Sequence, residues 1–249
     1  MQEIRGTLAL IGGGEWTGAG PSLLAALVAR AFPDAPGASP HGDPGAHEVV
    51  LLPTAAAFEH PERVGQRASA VFEGLGVRVR SLPVLHRAEA EDPAHVEAVR
   101  QARFVYVADG SPLHLRSVLK GSALLEAMLD AYRRGALVAA SGAGATVLCD
   151  PMVDPRGGAY TVGLGFVEGL ATFPYHGTAA DHLRERSIDL LPAGARLAGI
   201  DEATALVREP HGRWLVLGAG RVTLYGADDG AVVELGSFGP DSEIVMLKM

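Results

Sequence analysis

Two segments place a polar side chain beside a turn of very small residues. The first is ALVAASGAGATVLCD, residues 136–150. An apolar run meets SGAGA and then a short apolar stretch, the outline of a buried strand entering a tight turn and a helix. Such an elbow lifts one side chain clear of a sheet, which suits a nucleophile. Its central residue takes a strained conformation and needs small neighbours, and Ser141, Gly142, Ala143, Gly144 and Ala145 are all small. Two registers fit: Ser141 at the elbow, or Gly142 at the elbow with Ser141 ending the strand. Glycine tolerates the strained angles best, so the physics leans towards Gly142.

The second is VADGSPLHL, residues 107–115, where Asp109, Gly110 and Ser111 precede Pro112. Either Asp109 or Ser111 is suited to cap a helix opened by that proline. The position also suits a ligand, because it falls at the carboxyl end of an apolar strand.

His176 follows Phe173, Pro174 and Tyr175, a strand end, and a helix begins at Thr178 or Asp181. A histidine there has a pKa matched to acid–base work. Its spacing from His182 does not put the two on one helix face, so no metal site is expected. Arg184 and Arg186 point to different faces of that helix. One of them could grip a carboxylate, although surface pairs with Glu185 or Asp189 serve as well. Thr146 and Cys149 follow the small-residue turn, and burial is the expected fate of both.

Gly12, Gly13 and Gly14 precede Glu15, and Gly18 completes a G-x-G-x-x-x-G pattern. A dinucleotide site would need a helix starting within it and an acidic residue closing the second strand. The helix starts only at Pro21 and the second strand ends LLPTAAA, so a tight turn with positive φ is the better reading.

These segments need a scaffold. Apolar runs at 7–11, 49–52, 77–82, 104–107 and 137–140 alternate with helical patterns at 21–32, 61–75, 93–102 and 124–134. Alternation of this kind predicts a three-layer α/β/α sandwich on a mostly parallel sheet. A helix is expected at 179–191. Strands at 204–207, 214–217, 221–225 and 232–235, joined by the hairpin turns REPHGR and GADDG, predict an antiparallel set extending the sheet or packing on its edge. The Pro/Gly-rich segment 33–47 reads as a surface loop.

The 249 residues are 48% apolar and 20% charged, with a mean hydropathy of +0.18. One α/β domain covering 1–249 is expected. A net charge of −8 argues against nucleic acid or an anionic membrane as partner. Cys149 is the only cysteine, which excludes an internal disulfide. No apolar run is long enough to span a bilayer. The first residues read as a strand rather than a leader, and a cytoplasmic location is expected.

Taken together, the motifs resemble peptidase family S51, which includes cyanophycinase and dipeptidase E. The similar segments are LIGGGE at 10–15, LLPTAAA at 51–57, VADGSPLHL, SGAGATVL at 141–148, GLGF at 163–166, the stretch from His176 to Arg186, and GIDEATALV at 199–207. They occur in family order over nearly the whole chain. The resemblance implies a class I glutamine-amidotransferase-like fold, a serine-type peptidase reaction and substrates with acidic side chains; no cofactor and a homodimer are expected.

Three departures stand out. Matching the family's G-x-S-A-G-A to Ala143-Gly144-Ala145 puts its serine at Gly142. The family's triad acid falls at Val162, leaving Asp154 or Glu168 as substitutes. The ligand loop, G-G-N or G-G-D in the family, is Asp109-Gly110-Ser111 here, followed by Pro112, which has no N–H. The first expectation is therefore an impaired or repurposed S51-like protein. It would keep a pocket for a small peptide or amino-acid-like ligand lined by Gly13, Gly14, Asp109, Gly110, Ser111, Ser141, Gly142, Ala143 and His176, with Arg184 or Arg186 on a carboxylate. An active alternative has Ser141 attack a peptide carbonyl with His176 as base, the N–H groups near Gly110 and Ala143 holding the oxyanion. A third expectation is an interaction protein whose cleft is apolar and filled.

Overall fold

In the computed structural model, which describes residues 4–34, 47–228 and 231–247, the apolar runs form strands and the proline-opened segments form helices. The first part comprises β1 (Thr7–Ile11), α1 (Gly20–Ala31), β2 (Glu48–Leu52), α2 (Pro61–Gly74), β3 (Arg78–Ser81), α3 (Pro93–Gln101), β4 (Phe104–Val107), α4 (Pro112–Leu119), α5 (Ala123–Arg134) and β5 (Leu137–Ser141). Then come α6 (Ala143–Leu148) and four two-residue strands, β6 (Cys149–Asp150), β7 (Met152–Val153), β8 (Tyr160–Thr161) and β9 (Val167–Glu168). The chain continues through β10 (Leu170–Pro174), α7 (Asp181–Asp189), β11 (Arg196–Ile200), β12 (Thr204–Arg208), β13 (Trp214–Gly218), β14 (Val222–Asp228) and β15 (Ala231–Phe238). Residues 35–46 of the expected surface loop and 229–230 of the GADDG turn lie outside the described residues.

Local chemistry sets the helix starts. Proline occupies the first turn of α1, α2, α3 and α4, where its missing N–H has no partner to lose. Asp92 caps α3 by accepting from Ala94 N at 2.7 Å, and Ser122 caps α5 by accepting from Leu125 N at 3.1 Å. Gly135, at φ 118°, stops α5 before β5.

The main sheet has seven strands in the order β13-β12-β1-β5-β4-β2-β3. Five are parallel, while β12 and β13 extend it antiparallel. Alternate residues feed two cores. Ala9, Ile11, Leu137, Ala139, Phe104 and Tyr106 face α1 and α2, whereas Leu8, Leu10, Val138, Ala140, Val105 and Val107 face α3 to α6. The expected three-layer architecture is therefore present.

A second sheet, β15-β14-β11-β10-β6-β9, lies beyond the expected antiparallel set. Only β12 and β13 join the main sheet; β14 and β15 pair in this second one. Leu170, Ala198 and Ile200 pack towards α6, and Ala171, Phe173 and Leu197 pack on the other side with Leu183 and Ile188 of α7. Among the described residues no helix is long and apolar enough to cross a membrane.

Candidate active site

β5 runs through Ser141 and hands over to α6 in a single residue, Gly142, at φ 50° and ψ −110°. An L side chain rarely adopts these angles, so Gly142 rather than Ser141 is the elbow residue. Its N–H donates to Ile11 O at 3.0 Å and its carbonyl accepts from Thr146 N at 3.0 Å and Thr146 Oγ1 at 3.2 Å. The turn is thereby tied to both the sheet and the new helix.

The space above the elbow belongs to Asp109. A Cβ built on Gly142 would lie 2.2 Å from Asp109 Cγ and 2.2 Å from its Oδ1. That oxygen accepts from Gly110 N at 2.7 Å and Ala143 N at 2.7 Å. Gly110 turns the chain there at φ 146°, and a Cβ on it would fall 2.4 Å from the Ala55 carbonyl oxygen. The two N–H groups expected to hold an oxyanion thus converge as expected, but on a carboxylate of the chain itself. Tyr175 Oη donates to the other oxygen, Oδ2, at 2.5 Å. Burial pushes the Tyr175 hydroxyl well above its ordinary range, and the bond to Asp109 pushes it the same way. It therefore remains a donor.

Tyr175 sits at φ 55° on a non-glycine residue, a costly conformation that its surroundings must enforce. Its ring lies on Gly13, where a Cβ would come within 2.2 Å of Tyr175 Cζ. Gly13 and Gly14, at φ 97° and 71°, make the tight turn read from the sequence. Ser111 has the capping role: its Oγ accepts from His114 N at 3.3 Å at the start of α4.

Ser141 points away from this constellation. It is fully buried, on the α1 and α2 face, and its Oγ donates to Glu15 Oε2 at 2.7 Å. Tyr106 Oη donates to Glu15 Oε1 at 2.7 Å. Glu15 is 2% exposed, and burial holds its carboxyl above the usual range despite both hydrogen bonds. The sequence left Glu15 and Tyr106 unassigned. Two buried hydroxyls converging on one buried carboxylate form a closed polar cluster beneath the turn.

His176 belongs to a different group. Its Nε2 lies 2.9 Å from Tyr225 Oη and its Nδ1 lies 3.8 Å from Asp201 Oδ1. The ring fits because residue 199 is glycine: a Cβ there would fall 2.2 Å from His176 Cδ2. Burial lowers the His176 pKa, opposed by the Asp201 charge. The carboxylate beside this histidine is thus Asp201, from GIDEATALV. The two expected substitutes are elsewhere: Asp154 pairs with Arg156 at a surface turn, and Glu168 is exposed on β9. Val162 is itself half exposed. The Ser141–His176 pairing expected for an active serine is replaced by separate bonds to Glu15 and to Tyr225.

Arg184 is committed to Asp181 and donates to the His176 carbonyl at 3.2 Å, so it braces the histidine's backbone. Arg186 is exposed on α7. Cys149 is buried, and burial pushes its thiol up to about 12.

Two cavities flank the Tyr175–Asp109 bond. One, of about 370 Å³, is lined by Pro112, Thr146, Val153, Phe173 and Leu183 together with Asp109 and Tyr175. The other, of about 330 Å³, carries Glu15, Trp16, Glu59 and Arg67 and shares Asp109, Gly110 and Tyr175. A hollow of about 510 Å³ around Phe32, His47, Glu48 and Arg80 lies at the amino ends of the strands, away from the carboxyl edge where parallel sheets bind ligands.

A strand-to-helix elbow at the carboxyl edge of a parallel sheet, with two converging N–H groups above it, is the geometry of a nucleophile elbow on a three-layer α/β fold. The chain belongs to peptidase family S51, whose model matches residues 41–212. It is 28% identical to a cyanophycinase from Nostoc sp. over 236 residues, 90% of this chain and 74% of the relative. It is 25% identical to peptidase E of Shigella flexneri over 210 residues, 77% of this chain and 82% of the relative. A crystal structure of a peptidase from an acI-B1 actinobacterium superposes with a TM-score of 0.80 at 26% identity, covering 98% of both chains.

Proposed function

We propose that this S51 member does not perform serine acyl transfer and instead holds a small peptide or amino-acid-like ligand at the elbow. The observation that carries the reading is the Asp109 carboxylate in the space of a residue-142 side chain, bonded to both N–H groups an oxyanion would use. An attacking serine needs the elbow position, and a tetrahedral intermediate needs those donors free. Here residue 142 has no side chain, and the donors are taken.

No other nucleophile replaces it in this reading. Ser141 is sealed below the turn, and Thr146 is bonded to the Gly142 carbonyl. Cys149 keeps its proton at neutral pH. The open cavities on both sides of Asp109 support a binding role over an interaction protein with a filled cleft.

A fluorophosphonate label applied to the folded protein tests this. No incorporation is expected, together with ligand-induced thermal stabilisation by members of an amino-acid and dipeptide set. Stoichiometric labelling that disappears in Ser141→Ala would overturn the reading.

A further inference from the structure

The larger of the two cavities beside the elbow has one charged side chain in its wall. Pro112, Val153, Pro155, Phe173 and Leu183 supply an apolar surface, and the only ionisable groups are Asp109 and the Tyr175 phenol. None of its lining residues is Lys, Arg or His. Among the described residues no ion pair reaches Asp109 either; its three partners are two backbone N–H groups and a phenol.

Counting acceptor sites defines what is missing. An ionised carboxylate offers about four lone-pair positions. Gly110 and Ala143 occupy those on Oδ1, and Tyr175 occupies one on Oδ2. One position on Oδ2 is left. The carboxylate is thus well held, yet among the described residues no cationic side chain is bonded to it, and a partly buried carboxylate of that kind favours a cationic partner.

We propose that this cavity takes a small ligand carrying an ammonium group on an apolar body, with the ammonium donating to Asp109 Oδ2 and the body against Phe173, Val153 and Leu183. The proposal rests on the elbow being a ligand site and names the chemical class. At about 370 Å³ the chamber is at the small end of ligand pockets, suited to one branched or aromatic side chain with its amino group. It runs against the acidic substrates implied by the family resemblance, because an acidic group would meet Asp109 without a cation to offset it.

Titration calorimetry with four probes tests the class: leucinamide, N-acetyl-leucinamide, 4-methylvalerate and an aspartyl dipeptide. Leucinamide should bind saturably, and its acetylated form at least about tenfold more weakly because the charged donor is gone. Asp109→Asn should cost leucinamide about tenfold or more, with circular dichroism confirming the fold. Leu183→Lys, which leaves Asp109 intact and adds a cation to the wall, should weaken it as well. Leucinamide binding that ignores both substitutions, or no binding of leucinamide at all, overturns the class. Tight binding of 4-methylvalerate or of the aspartyl dipeptide, strengthened rather than weakened in Leu183→Lys, would overturn it while leaving the elbow a ligand site. Ser141-dependent fluorophosphonate labelling would instead remove the reading on which it rests.

Discussion

The Asp109 carboxylate occupies the volume that any side chain on Gly142 would require, with Cγ 2.2 Å from the position of that missing Cβ. The two residues come from the ends of neighbouring parallel strands, β4 and β5. The side chain present at one is accommodated by the side chain absent at the other.

Gly142→Ser should therefore destabilise the fold by about 2–5 kcal/mol, from backbone strain and overpacking together. Combining it with Asp109→Gly should cost less than the sum of the single changes, by about 1–3 kcal/mol. Urea denaturation of the four proteins in the cycle measures the coupling. Strict additivity would show that the carboxylate is not what the serine meets.

Ser141→Ala acts on the buried carboxylate of Glu15. Because the folded pKa of Glu15 is raised, the folded state binds its proton more tightly than the unfolded chain. Its contribution to stability is present at low pH and is lost as pH rises from the ordinary carboxylate range through the folded value. The Ser141 hydroxyl lowers that value, so losing it hurts most where Glu15 is ionised. A cost of about 1–3 kcal/mol is expected at neutral pH. It should shrink on acidification as Glu15 takes up its proton, as read by chemical denaturation over a pH series.

His176 should titrate below its ordinary 6.5 in an NMR pH series, since burial disfavours the imidazolium. Asp201→Asn should lower it further by removing the opposing charge. The sign is opposite to that of Glu15: the unfolded chain binds the proton more tightly, so this histidine adds stability as pH rises to 6.5 and withdraws it on acidification. Gly199→Ala should displace the ring and cost about 1–3 kcal/mol.

Cys149 gives a chemical readout of the core. Buried and raised to about 12, its thiol should resist iodoacetamide in the folded protein. It should react at a free-thiol rate in denaturant. Rapid alkylation under native conditions, followed by mass spectrometry, would contradict the placement of β6.

The scaffold was legible where sequence periodicity was strong. β1 and β4 match their expected bounds, and the other parallel strands differ by a residue or so at their ends. The elbow register was also legible, because glycine tolerates the angles found at residue 142 best. The second sheet was less so: β6 to β9 are two residues each, too short to carry an alternation pattern. At the site, the partnerships escaped. Asp201, Glu15 and Tyr175 find their partners across long stretches of sequence, and nothing local marks them. One signal was available. The family pattern has a small residue where Asp109 stands and a larger one where Gly142 stands, an exchange of volume between adjacent strand ends.

That exchange fixes an order of events. A serine arriving at 142 ahead of any change at 109 would enter occupied space on a strained backbone, and the protein would bear the cost before any catalytic benefit. Shortening 109 first frees the elbow and both N–H donors, after which a serine has room. Residues 109 and 142 are therefore not free to change independently, and the acid acts as a ratchet on the glycine beside it.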